Sequence, residues 1–388
     1  MKPRKIIPQL RKAIKRADKK IIFLWGARQT GKSTILNSLY QELGGSYFNF
    51  ENLDDQRLFI PELVKLEDSI KSKNTRPGSK NVFIDEIQQY PDSTQAIKLL
   101  ADKGEHIIFA TGSSELRAKT NRFDTLAGRY KEFVLFPLTI DEVTAFCDET
   151  VHFVKKPNHA QTQQLGRHLE EIMIYGSYPA VILTKDKIDE LKNITQNSVI
   201  KDIVNIYDLK NTDLVYNLLR LLAMQIGNLI NVTELASSLG TTKITIDNYL
   251  SILSKNRVIY LLEPFKTNKR KAYLGRKKVF FLDLGIRNTL VDDFRALNVR
   301  QDLGAVFENL IVVGALRQIS YQRNNKRLFY FREIGGAQKE IDLIIETAAG
   351  EKSGYEIKYS GRELNKFPEL GIVRYQTVSR YNAVDFLV

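Results

Sequence analysis

The stretch that decides the fold reads Ile21-Ile22-Phe23-Leu24-Trp25-Gly26-Ala27-Arg28-Gln29-Thr30-Gly31-Lys32-Ser33-Thr34. The apolar run Ile21 to Trp25 predicts a buried strand, and Thr34 to Tyr40 predicts a helix. Between them stands G-x-x-x-x-G-K-S, in the strand–loop–helix context that gives this spacing its meaning. Its glycines let the backbone wrap round phosphate with N–H groups pointing inward, and the new helix adds its positive end. Gly26, Ala27, Arg28, Gln29, Thr30, Gly31, Lys32, Ser33 and Thr34 are therefore the expected nucleotide-binding residues. Lys32 would reach the β- and γ-phosphates, and Ser33 would place its hydroxyl on Mg²⁺.

A second apolar strand, Asn81-Val82-Phe83-Ile84, ends in Asp85-Glu86, and Asp85 lies 53 positions after Lys32. Asp85 is expected to hold the magnesium and Glu86 to polarise an attacking water. A third, Ile107-Ile108-Phe109-Ala110, runs into Thr111-Gly112-Ser113-Ser114. A hydroxyl at that strand tip would sense the γ-phosphate, and Ser113 is the expected one. Strands and helices in this alternation make a parallel α/β sheet, whose ligands bind outside the carboxyl ends of the strands. Arg129, in Leu126-Ala127-Gly128-Arg129-Tyr130, is the expected cation for the γ-phosphate of a neighbouring subunit, ahead of Arg117 and Arg122; a surface salt bridge is its plain alternative.

At roughly 150 residues per domain, 388 residues suggest two to three domains. With 43% hydrophobic and 27% charged residues, the chain reads as globular rather than disordered. No uninterrupted apolar run of roughly 18–20 residues is present, so no membrane partner is expected. The N-terminus lacks the apolar stretch of a secretory signal. Cys147 is the single cysteine, which excludes internal disulfides and cysteine-based zinc sites and fits a cytoplasmic setting. Lys+Arg at 58 against Asp+Glu at 45 leaves +13, a balance that favours an anionic partner such as nucleic acid.

GARQTGKST, VFIDEIQ, ATGSS, LAGRY with FPLTIDE, and GSYPAVI together resemble a family of AAA+-type ATPases of bacteria and archaea. Those proteins carry a C-terminal domain of unknown function with a restriction-nuclease-like core. FFLDLGIRN, FENLIV, EIDLII and EIKYS follow in the family's order, so the resemblance spans nearly the whole chain. It implies that the mostly helical segment 138–210 is the small lid that closes over nucleotide in AAA+ proteins. His152, His159 and His168 in or near it are not spaced for zinc on one helical face, and no metal is expected there.

Residues 211–290 predict a winged helix. Thr233 caps a short helix with Leu235, Ala236 and Leu239 inward, Gly240 turns the chain, and a second helix, Thr242 to Lys255, turns Ile246, Leu250 and Leu253 inward. Lys243, Thr245 and Asn248 would face a major groove, although Asp247 beside them opposes tight contact. Two strands joined by the basic run Lys266 to Lys278 would form the wing. Its Lys269, Arg270, Lys271, Arg276, Lys277 and Lys278 would contact phosphates without reading sequence. A connector or protein-contact role is the alternative.

Downstream, a buried helix carries Glu308, and strands follow with Asp342 in one and Glu356-x-Lys358 in the next. Residues two apart on a strand share a face. This is the D-x(n)-E-x-K spacing of PD-(D/E)xK nucleases, in which two carboxylates bind Mg²⁺ and the lysine activates water. Asp342 and Glu356 are the expected metal ligands, with Lys358 and Glu308 assisting.

The whole reading is α/β: a P-loop parallel sheet over 1–137, helical lid over 138–210, winged helix over 211–290 and restriction-endonuclease-like domain over 291–388. It expects ATP and Mg²⁺ as cofactors, DNA as partner, ATP hydrolysis as activity, and a homo-oligomer with Arg129 acting across subunits. Two alternatives accompany it, a Mg²⁺-dependent nuclease gated by ATP and a nucleotide-switched scaffold without DNA activity.

Overall fold

The computed structural model describes residues 2–387 except 17–19, 91, 114–125, 127, 148–158, 207–210, 266–274, 334–339 and 362–369. Arg117, Arg122, His152, Lys269, Arg270 and Lys271 lie outside the described residues. Two compact units result, Met1–Phe136 and Pro137–Val388.

The front unit is built on five parallel strands in the order β2-β3-β4-β1-β5. They are β1 (Ile21–Gly26), β2 (Ser46–Asn49), β3 (Asn81–Asp85), β4 (Ile107–Gly112) and β5 (Tyr130–Leu135). Every residue of β1 is buried, because it lies between β4 and β5 with both faces covered; such a strand reads as an unbroken apolar run. Phe23 and Trp25 stack at 4.9 Å between ring centroids, and the buried residues Phe48, Phe50 and Phe59 extend the same core. Because β4 separates β1 from β3, the carboxyl end of β4 stands between the phosphate loop and Asp85.

The rear unit has a six-stranded sheet in the order β11-β10-β9-β8-β6-β7. Its strands are β6 (Ile259–Pro264), β7 (Lys278–Phe281), β8 (Arg327–Arg332), β9 (Glu340–Glu346), β10 (Lys352–Ile357) and β11 (Arg374–Val378). β6 and β7 are antiparallel, as a wing requires, but β6 also pairs in parallel with β8. The expected wing is thus not a free hairpin; its first strand continues into the sheet that carries Asp342 and Glu356. Helix Leu303–Gln322 is long and apolar enough to cross a bilayer by length and composition alone. Its Val306, Phe307, Ile311 and Val312 are buried inside the unit, the usual state of a core helix.

The FFLDLGIRN run knits this unit together. Asp283 caps helix Leu284–Val291 by accepting from Gly285 N at 2.9 Å and Ile286 N at 3.2 Å, and it also accepts from Ser177 N at 2.7 Å. Arg317 donates to Ser177 Oγ at 3.1 Å and to the carbonyls of Leu138 and Leu282. Asn288 donates to the carbonyls of Met173 and Ile174, and Arg287 to that of Ala223. These polar groups are buried, and each such bond offsets desolvation that would otherwise be costly. A Cβ at Gly285 would lie 2.3 Å from the Tyr175 carbonyl oxygen and 2.6 Å from Leu191 Cδ2, so the backbones pack too closely for any side chain. Gly285→Ala is expected to cost about 2–3 kcal/mol in urea unfolding; a cost below about 0.5 kcal/mol would show that the junction relaxes freely.

Candidate nucleotide site

The site is assembled at the carboxyl ends of β1, β3 and β4. After β1 the chain turns through Gln29 at φ 60° and Gly31 at φ 95°, and helix Lys32–Leu43 begins. Gly26 admits nothing larger: a Cβ there would sit 2.6 Å from the Leu135 carbonyl oxygen. Thr30 Oγ1 donates to the Ala27 carbonyl at 2.8 Å, and Lys32 Nζ donates to the same oxygen at 3.0 Å. The Lys32 side chain is therefore folded over the loop, with only 4% of the residue exposed. Ser33 follows on the first turn of the helix and Thr34, on the same turn, is exposed.

Sequence reading missed Arg4. Its guanidinium is buried and donates to the Thr30 carbonyl and to the Phe136 carbonyl, both at 2.8 Å. It thus ties the phosphate loop to the residue after β5. Nothing local marked it, since it stands in a basic N-terminal run.

Asp85 closes β3 and is 4% exposed. Its Oδ1 accepts from the Thr111 hydroxyl, and its Oδ2 accepts from the Tyr47 hydroxyl at 3.1 Å. Burial first, then the negative charge of Asp85, pushes the Tyr47 phenol well above its ordinary range, so it stays protonated and donates. Among the described residues Asp85 has no ion-pair partner. A buried carboxylate met by two hydroxyls and one backbone N–H, all neutral donors, is poorly compensated by itself and suited to a divalent cation. These groups therefore fit Mg²⁺, with Asp85 and Ser33 to hold it.

Glu86 adopts φ 53° and ψ 50°, a left-handed conformation uncommon outside glycine and held where surroundings enforce it. Its N–H lies 3.2 Å from Asp85 Oδ1 and 3.4 Å from Thr111 Oγ1. Gln88 Nε2 donates to Glu86 Oε2, while Gln88 Oε1 accepts from Ser113 N at 3.2 Å. Glu86 is thereby aimed by its own backbone and by Gln88. The hydroxyl beside Asp85 is that of Thr111. Ser113 lies two residues further on and is buried, its N–H engaged by Gln88. Arg129 immediately precedes β5, whose first residue pairs with Ile21. That places it about 20 Å along the strands from Gly26, at the opposite end of the sheet from the phosphate loop. It is half-exposed, with Nε 2.7 Å from Asp102 Oδ1.

In the helix pair, Asn231 rather than Thr233 caps helix Val232–Ser238, accepting from Glu234 N. Thr245 is less available than expected, because its hydroxyl pairs with that of the capping Thr242 at 2.9 Å. Lys243 and Asn248 are exposed, as is Ile244 at 74%. Lys277 pairs with Glu263 at 3.1 Å. Lys278 is not a surface phosphate contact at all: it is the first residue of the wholly buried β7, and its ammonium bonds Glu308 and Glu340.

At the rear, Asp342 Oδ2 accepts from Ile357 N at 2.7 Å, and Glu356 Oε1 lies 3.6 Å from Lys358 Nζ. Burial raises the Glu308 carboxyl to about 7, against the pull of Lys278 and with the push of Asp342 and Glu340. Burial acts against the charge on Lys278, but Glu308, Glu340 and Asp342 outweigh it and raise its affinity for the proton. Burial dominates at Glu308, whereas the combined pull of the carboxylates dominates at Lys278, which is how both shifts coexist. Among the described residues no three Asp, Glu, His or Cys side chains group as a metal site would require. The residues do not fit the expected Mg²⁺ centre.

Comparison with known proteins agrees with the front unit. Residues 18–144 match the family described as AAA domain; residues 166–301 and 303–374 match two domains of unknown function, DUF8612 and DUF4143. An uncharacterized protein of Methanocaldococcus jannaschii is 28% identical over 366 residues, 92% of this chain and 78% of its own. An uncharacterized protein of Haemophilus influenzae is 24% identical over 341 residues, 83% of this chain and 78% of its own. The Walker-type ATPase PABY2304 of Pyrococcus abyssi shares the fold with a TM-score of 0.51 at 15% identity, covering 75% of this chain and 96% of its own. The front unit has the P-loop ATPase fold, and residues 18–144 match an AAA domain.

Glu86→Gln is expected to retain nucleotide while turnover falls roughly 10²- to 10⁴-fold, measured as phosphate release with excess ATP. Unchanged turnover would remove Glu86 from the chemistry.

Proposed function

We propose that this protein binds ATP with Mg²⁺ at the loop Gly26–Ser33, hydrolyses it, and couples nucleotide state to DNA contact by the rear unit. The observation that carries the reading is Asp85, buried with no ion-pair partner among the described residues and hydrogen-bonded by Thr111 and Tyr47 at the strand ends beside the phosphate loop.

The loop N–H groups and the start of helix Lys32–Leu43 hold the phosphates, and Lys32 exchanges its bond to the Ala27 carbonyl for one to phosphate oxygen. Ser33 and Asp85 would hold Mg²⁺, which would supply charge neutralisation at the phosphate oxygens. Thr111 keeps Asp85 oriented, and Glu86 accepts a hydrogen bond from the attacking water and so directs its lone pair at the γ-phosphorus. Ser113 remains the proposed γ-phosphate sensor. Arg129 cannot serve its own loop, and its proposed role is on the γ-phosphate of an adjacent copy in a homo-oligomer.

DNA contact is supported by the net charge of +13, by the six Lys and Arg in Lys266 to Lys277, and by Lys243 and Asn248 exposed at the start of helix Lys243–Lys255. The exposed Ile244 between them favours a second reading, in which the helix meets a protein. ATP turnover with and without duplex DNA at low salt separates the two. Stimulation that fades as salt rises is expected; turnover indifferent to DNA would leave the protein-binding reading.

A further inference from the structure

Lys278 stands where the rear carboxylates converge. Its ammonium lies 2.9 Å from Glu308 Oε1 and 2.8 Å from Glu340 Oε1, on a side chain only 4% exposed. The ring of Tyr330 packs against it with its centroid 5.6 Å away, and Asp342 adds a third negative charge to its surroundings. The backbone under it is fixed on both sides, because Lys278 pairs with Leu262 in β6 and bridges to Leu229. Gly227 approaches the same centre: a Cβ there would lie 3.3 Å from Glu308 Oε2. The ammonium is therefore placed by the sheet rather than by chance rotation of a surface side chain.

Mg²⁺ and Mn²⁺ need oxygen ligands at about 2.0–2.1 Å in a near-octahedral set. An ion bridging Glu308 and Glu340 would have to enter the position that the ammonium holds, against a like charge in a buried setting. Glu356 is turned to Lys358, and one oxygen of Asp342 is held by Ile357 N–H.

We infer that Lys278 is the resident cation of the Glu308–Glu340–Asp342 centre and that it excludes a divalent ion from it. The rear unit then keeps the acidic residues of a nuclease-like constellation as an internal ion-paired anchor, joining β7 to helix Leu303–Gln322 and β9, and meets its partner without metal-dependent cleavage. This holds whether or not the front unit turns over ATP.

The test is Mn²⁺ binding to the nucleotide-free full chain, followed by electron paramagnetic resonance. Wild type and Asp342→Asn are expected to bind Mn²⁺ alike. Lys278→Met, checked for folding by circular dichroism, releases Glu308 and Glu340 to regroup with Asp342 and is expected to gain one Mn²⁺ per chain, and the gain should vanish when Asp342→Asn is added. A Mn²⁺ site in wild type that Asp342→Asn removes would overturn the inference, as would a folded Lys278→Met with no gain. Should Lys278→Met fail to fold, the wild-type and Asp342→Asn pair still decides: equal binding supports the inference, and loss of a site sinks it. No nucleotide is present, so failure of the ATPase reading would show separately, in turnover.

Discussion

A single constraint organises the front unit: the carboxylate of Asp85 is buried at the end of β3 with hydroxyl donors and no cation among the described residues. Burying a charge is costly unless something compensates it. The parallel order β3-β4-β1 sets that carboxylate across one strand from the phosphate loop. Thr111 on the intervening strand holds it, Tyr47 from β2 holds its other oxygen, and Glu86 begins the next turn in a conformation fixed by Asp85 and Thr111. Arg4 ties the loop to the Phe136 carbonyl. Each group acts by fixing another, so the arrangement is held within the chain itself, as the proposed phosphoryl transfer would require.

The rear unit meets the same cost differently. Its buried charges carry their compensation within the chain: Asp283 on backbone N–H groups, Arg317 on carbonyls, and Lys278 on Glu308 and Glu340. Internal pairing of this kind often contributes little net stability, yet it fixes which groups meet. Here it sets how β7, the long helix and β9 register with one another.

The parts legible in the sequence were those whose signals are local. A strand covered on both faces reads as a run of apolar residues, so Ile21 to Trp25 and Val82 to Ile84 were visible, and the loop and the acidic pair follow directly on them. Thr111 was harder, because it shares strand parity with Ser113 and composition cannot rank two hydroxyls two residues apart. Tyr47 and Arg4 act over separations of 38 and 26 residues and leave no local trace. Lys278 was misjudged for a physical reason: a basic run records charge but not direction, and the first residue of a buried strand turned the last lysine of that run inward. The nuclease-like spacing at Asp342, Glu356 and Lys358 was legible too, whereas the lysine beside it came from a strand more than sixty residues earlier in the chain.

The central claim is that the loop from Gly26 to Ser33 grips triphosphate with Asp85 sharing its metal. Equilibrium binding of labelled ATP with and without Mg²⁺, in wild type, Lys32→Ala and Asp85→Asn, tests it most directly. The account predicts Mg²⁺-dependent retention by wild type, near-complete loss in Lys32→Ala, and loss of the Mg²⁺ dependence in Asp85→Asn. Retention of ATP by Lys32→Ala at wild-type affinity would contradict it.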